Sequence, residues 1–120
     1  VGYVSTSNLS GIVPDQQGGF GTTVVNYPSN GLQNGSPDGI ALVDPSNTVV
    51  QFLSYEGSLT AQDGPAQGLT AVDIGVSEQP APPAGESLQL QGTGSQYTDF
   101  TWAGPIPATR GAPNTGQTFQ

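Results

Sequence analysis

The chain has no cysteine, no histidine and no lysine, and Arg110 is its only cation. Without cysteine there is neither a disulfide framework nor a thiolate metal site, and cysteine usage gives no information on the redox compartment. Without histidine or cysteine, a Ser-His-Asp triad, a Cys-His pair and ordinary zinc sites are excluded, because each needs a group that titrates near neutrality or a nitrogen or sulfur ligand. Nine carboxylates against one cation give a net charge of -8. That field repels phosphate backbones and anionic headgroups, so the sequence points to no nucleic acid and no membrane surface as partners. No apolar run approaches the ~18 residues of a spanning helix.

What is present is uncharged polarity. Charged residues make up 8% of the 120 residues, and their place is taken by 11 Ser, 12 Thr, 6 Asn and 12 Gln, with 18 Gly and 11 Pro. The length suits one domain, residues 1–120, with a single core. The chain begins at Val1 without a methionine or a charged segment leading into an apolar one, which reads as a processed product or an excised piece of a longer protein.

The stretch from Asp38 to Tyr55 organises the rest. Gly39–Val43 and Thr48–Tyr55 flank Asp44-Pro-Ser-Asn47 and are rich in β-branched and aromatic side chains, which predicts a hairpin. In its second strand Val49, Leu53 and Tyr55 point one way and Val50 and Phe52 the other, so the strand is expected inside a sandwich. Gly2–Ser5, Gly11–Val13 and Thr22–Tyr27 are further strand candidates, the last ended by Pro28. Ser29–Pro37 is nearly all turn residues, Glu56–Leu69 reads as a long surface loop, and Val72–Val76 as a short strand. Three prolines in Gln79–Gly85 favour polyproline-like extension. Ser87–Gln91 alternates, Gly92–Ser95 turns, and Tyr97–Trp102 places Phe100 and Trp102 on one face, a second hairpin. No segment holds a 3.6-residue period for three turns, so no α-helix is expected. The predicted core is Ile40, Leu42, Val50, Phe52, Leu88, Leu90, Phe100 and Trp102.

Asn34–Val43, Val49–Gly57 and Ser87–Gly94, with Phe100-Thr-Trp102 and the closing Asn114-Thr-Gly-Gln117, resemble bacterial lamin tail domains in order and spacing over nearly the whole chain. The resemblance implies an all-β, immunoglobulin-like antiparallel β-sandwich. Its bacterial members are commonly modules of secreted or surface proteins, some joined to a nuclease or phosphatase-type catalytic domain, and they carry no defined catalytic residues. An extracellular or cell-surface location is therefore implied. Two departures stand out: the family's opening strands do not precede Val1, so the sandwich is expected to be incomplete at its N-terminus, and Arg110 stands where relatives often have proline.

The remaining enzymatic option is a carboxylate pair of the glycosidase type, drawn from Asp38, Asp44, Asp63, Asp73, Glu78 and Asp99. Against it, Asp38 and Asp44 bound a strand as turn residues do, and Asp99 reads as outward-facing; the chain reads as no enzyme. Calcium is the better alternative, since Asp and loop carbonyls supply hard oxygen ligands, with Asp63, Asp73 and Glu78 as candidates, although the Asp-x-Asp-x-Asp spacing is absent. No other cofactor is implied. Gln17-Gly-Gly-Phe-Gly21 lacks the lysine and following helix of a phosphate loop. Tyr55, Tyr97 and Trp102 would suit a carbohydrate-stacking platform, but aromatics at alternating strand positions more commonly pack as core or cross-strand pairs.

Sheet edges carry the functional signal. Natural sheets blunt their edges with lysine, inward charges, bulges or coverage, and this chain has few such devices. A sandwich short of its first strands leaves a groove that another chain's strand fills by β-augmentation. The first expectation is thus a non-catalytic extracellular structural or adhesion module that pairs with copies of itself or with the remainder of its parent protein, to the point of forming a filament. The others are an accessory interaction domain of a secreted nuclease or phosphoesterase, and a calcium- or glycan-binding module.

Overall fold

A computed structural model describes residues 6–29, 35–78 and 83–120. The chain is all-β, as the sequence predicts: among the described residues the only helical element is a single 3-10 turn at Tyr97–Asp99. The described residues form two compact units, one of residues 6 and 35–75, the other of residues 7–29, 76–78 and 83–120. Each holds one three-stranded sheet, and two sheets are what a β-sandwich is built from.

In the first unit β1 (Asp38–Val43) and β2 (Val49–Tyr55) form the predicted hairpin, and β3 (Val72–Asp73) joins β2 in parallel, giving the order β1-β2-β3. The turn is closed by Asp44. Its Oδ1 accepts from the amides of Ser46 (2.8 Å) and Thr48 (2.9 Å), while Asn47 takes a φ of 64°, a left-handed conformation that asparagine tolerates. The long loop Glu56–Leu69 folds back through a bridge between Thr60 and Thr70, and it buries Ala66, with Ala71 buried just beyond its end.

The predicted core needs correction here. Ile40, Leu42 and Val50 are 69%, 45% and 63% exposed. Register explains the first two: Ile40 lies opposite Leu53, which lies beside Val72, itself 65% exposed, so these side chains share one open face of the sheet. The opposite face is the covered one, where a Cβ on Gly39 would meet Leu59 and Phe52 and where Ser54 is 1% exposed. Val50 is the extra residue of a bulge, because the pairing passes from Leu42 with Gln51 to Val43 with Val49.

The second unit is built on β4 (Glu86–Gly94), the centre of a sheet ordered β5-β4-β6, with β5 (Phe100–Pro107) antiparallel to it and β6 (Gln117–Phe119) parallel. The second hairpin is thus longer than predicted, since β4 continues through Gly92–Gly94, and Tyr97–Asp99 turns instead of extending. Pro105 and Pro107 are accommodated because β5 is an edge strand. Phe52, Leu88, Leu90, Phe100 and Trp102 are half-buried. The packed cluster is one that the alternation pattern does not point to: Phe119 stacks on Phe20 (centroids 4.9 Å, 12° between planes) and meets Phe100 edge-on (5.2 Å, 61°).

Amide side chains do much of the fastening that charges do elsewhere. Buried Gln89 donates from Nε2 to the carbonyls of Ile106 (3.2 Å) and Pro107 (2.9 Å) across an irregular stretch of the β4–β5 ladder. Asn114 donates to the Leu90 carbonyl, Gln91 to that of Thr115, and the amide of Phe119 donates to Gln17 Oε1 at 2.7 Å. The high Gln and Asn content therefore ties loops to sheet backbone.

Gly11–Val13 is not a strand, and Ile12 is 96% exposed. Its neighbour Pro14 donates no ladder hydrogen bond, and two apolar residues bury too little to hold a strand alone. The candidate Gly2–Ser5 and most of the proline-rich segment lie outside the described residues.

Candidate functional site

Thr22–Tyr27 has the strongest β-forming composition of the N-terminal third, yet the structure leaves it outside every strand, turn and helix. The expected strand is absent because a strand exists only when a partner ladder satisfies it, and no described segment supplies one. Thr23 to Tyr27 make no backbone–backbone hydrogen bond to any described residue. None of the six has a positive φ, so each is free to extend.

Val24 and Val25 are each 39% accessible. On the even-numbered side, Thr22 donates from both its amide (3.0 Å) and its hydroxyl (3.1 Å) to Gln16 Oε1. Val24 lies against Gly111, where a methyl group on the glycine would come within 3.8 Å of Val24 Cγ2. Asn26 Oδ1 accepts from Arg110 Nη1 at 3.1 Å. Gln16 also donates from Nε2 to the Gly111 carbonyl, so a single side chain ties the start of the segment to the loop that faces it. On the odd-numbered side, Thr23, Val25 and Tyr27 are exposed, and the Tyr27 hydroxyl is bonded to Ser7 Oγ. Side chains of both parities thus contact this unit, and Thr22, Thr23, Val24 and Val25 all line the same cleft. Between the segment and Ser87, Leu88, Thr109 and Asn114 lies an open cleft of about 550 Å³. Gly21 sets the entry: a Cβ there would run into the backbone carbonyl of Pro14.

The carboxylates chosen from the sequence are mostly engaged with backbone. Asp38 accepts from the Gly35 amide (3.0 Å), Asp44 closes the first hairpin, and Asp73 accepts from the Gly75 amide (3.0 Å). Asp63 is exposed in the long loop. Asp63 and Asp73 belong to the first unit and Glu78 to the second. Among the described residues no group of three or more acidic side chains is placed to hold a metal ion. Trp102 donates from Nε1 to the Tyr97 hydroxyl (2.9 Å), a contact between two of the three aromatics weighed as a stacking platform and read instead as core or cross-strand pairs.

Asp99 is a carboxylate whose acidity the fold alters. The amides of Ser95 (2.9 Å) and Gln96 (3.0 Å) both donate to its Oδ2 and hold its pKa below the usual carboxylate value. A depressed folded-state pKa means that its contribution to stability is present above the ordinary Asp value of about 4 and is lost as the pH falls through the lower folded value. On acidification in that window the amide resonances of Ser95 and Gln96 are expected to titrate with Asp99, and Asp99→Asn should abolish that titration.

Compared with family models, curated proteins and solved structures, the chain matches none.

Proposed function

We propose that the chain is a non-catalytic interaction module that accepts a partner strand along Thr22–Tyr27, a lamin-tail-like β-sandwich acting as an extracellular structural or adhesion unit. The observation that carries this reading is a β-forming segment of six residues, tied to its own subunit through Thr22, Asn26 and Tyr27 and without a backbone ladder to any described residue. Main-chain hydrogen bonds to an added strand supply affinity of roughly 0.5–1.5 kcal/mol each, and the exposed alternate side chains supply specificity. The absence of lysine leaves the segment without a charged guard against such pairing. The family resemblance supports the extracellular setting and a non-enzymatic role, with the partner being another copy or the remainder of a parent protein. Service as an accessory domain of a secreted nuclease or phosphoesterase agrees with the same docking surface. A calcium role has no comparable support: of the candidates Asp63, Asp73 and Glu78, Asp73 is engaged by the Gly75 amide and Glu78 belongs to the other unit.

Hydrogen exchange tests the reading. With an excess of a synthetic octapeptide copying residues 21–28, the amides of Thr23–Tyr27 should slow by about tenfold or more, as ladder formation requires. The same peptide N-methylated at alternate residues should leave them unchanged. Exchange as fast with the unmodified peptide as without it overturns the proposal.

A further inference from the structure

We infer that the strand taken up along Thr22–Tyr27 carries a side-chain carboxylate, Asp or Glu, at the end that lies beside Asn26, where Arg110 receives it; this rests on the strand-docking reading above. The cleft between the segment and its own unit is the ground for it. Arg110, the only cation in a chain with nine carboxylates, lines that cleft, and none of the described residues lining it is Asp or Glu. One positive charge thus faces an opening that holds no negative one. Arg110 is not neutralised within the subunit either: its Nη1 donates to Asn26 Oδ1, a neutral acceptor, at 3.1 Å, and among the described residues it has no carboxylate partner. A guanidinium has five N–H donors in a planar fork that matches a carboxylate, so one bond to an amide oxygen leaves it able to receive one.

Most other polar side chains of the cleft are already engaged. Thr22 donates to Gln16, Thr109 to the Pro113 carbonyl and Asn114 to the Leu90 carbonyl, while Ser87 accepts from Gln89. Selection by charge therefore falls to Arg110. Screening decides how acidic the partner is: at physiological ionic strength the Debye length is about 8 Å, so carboxylates farther off than that weigh little against a contact at about 4 Å. A second acidic residue on the strand would meet no second cation and would feel only the net charge of -8. A phosphate would bring its extra negative charge under the same penalty. The strand is singly acidic and otherwise uncharged. Position follows from the bond to Asn26, the next-to-last residue of the segment, because it sets the guanidinium beside one end of a docked strand and not its middle. Tyr27 continues the segment past that point, so a paired strand runs on and offers a side chain there, not its terminus.

Calorimetric titration with end-blocked octapeptides tests this. Each copies residues 21–28 with a single Glu placed near its N-terminal or its C-terminal end, and each has a Gln counterpart. Glu near one end should bind about fivefold more tightly than Gln, the upper range for an exposed ion pair, and Glu near the other end should gain nothing. An N-terminal advantage marks an antiparallel strand and a C-terminal one a parallel strand. In 1 M salt, where the Debye length is about 3 Å, the advantage should disappear. Arg110 is exposed and Arg110→Gln keeps a donor for Asn26, so this variant should fold and bind the Glu and Gln peptides alike. Arg110→Lys should retain part of the advantage. An advantage equal at both ends, absent from both, or surviving Arg110→Gln overturns the inference, as does phosphoserine bound more tightly than Glu at the same position. If Glu brings no advantage while the Gln peptides still slow exchange at Thr23–Tyr27, strand docking stands without selection by charge; if no peptide slows it, both fall.

Discussion

Gly94→Ala should cost about 2–4 kcal/mol. A Cβ on Gly94 would collide with the side chain of Asp99, overlapping its Cβ, Cγ and Oδ2. Asp99 can yield only by releasing the amides of Ser95 and Gln96 that its Oδ2 holds, which fix the β4–β5 connection. Moving it adds the loss of two charge-assisted hydrogen bonds to the steric cost. Gly94 also pairs with Phe119, and its carbonyl accepts from Gln120, so a shift of the backbone instead would pull β6 away. Urea denaturation measures the loss. Gly104→Ala is the control: it sits in β5 with no atom within 4 Å of its Cβ position, and it should be neutral or slightly stabilising. Combining Gly94→Ala with Asp99→Ala should recover part of the loss, since the two positions are coupled by contact. Equal midpoints for Gly94→Ala and Gly104→Ala would show that the connection is looser than described.

Phe119→Ala should cost about 2–4 kcal/mol, because it removes the ring that stacks on Phe20 and meets Phe100 edge-on. The same truncation at Ile40, 69% exposed, should stay within about 0.5 kcal/mol. Paired denaturation curves read both at once. A loss at Ile40 equal to that at Phe119 would mean that the open face of the first sheet is covered in solution.

Residue types and their order were enough for the elements that local chemistry closes. The first hairpin was legible because Asp44-Pro-Ser-Asn47 is a turn whose own side chain satisfies its backbone, whatever lies around it. The second was legible in its alternation, and its ends were not, since whether Gly92–Gly94 extends or turns depends on β6 arriving to pair with it. For the candidate site, the β-forming character of Thr22–Tyr27 was plain from composition. Its lack of a ladder was invisible, as was the role of Gln16, which reads as one more loop glutamine until its two ends are seen to hold Thr22 and Gly111.

The all-β class, the absence of histidine and thiol chemistry, the negative field and the two hairpins were thus written in the order of residues, because they follow from composition, two-residue periodicity and turn stereochemistry. Which apolar residues are covered emerged only in the folded chain. Ile40 and Phe52 are equally good strand residues, and a strand has two faces that the pattern alone does not rank. The long loop lies on the side of Gly39 and Ser54 and leaves Ile40 open. Folding likewise brought together Phe20 and Phe119, 99 positions apart in the chain, as the aromatic cluster. It also left the most strand-like segment before Asp38 without a ladder, because pairing is a property of what the fold sets alongside a segment.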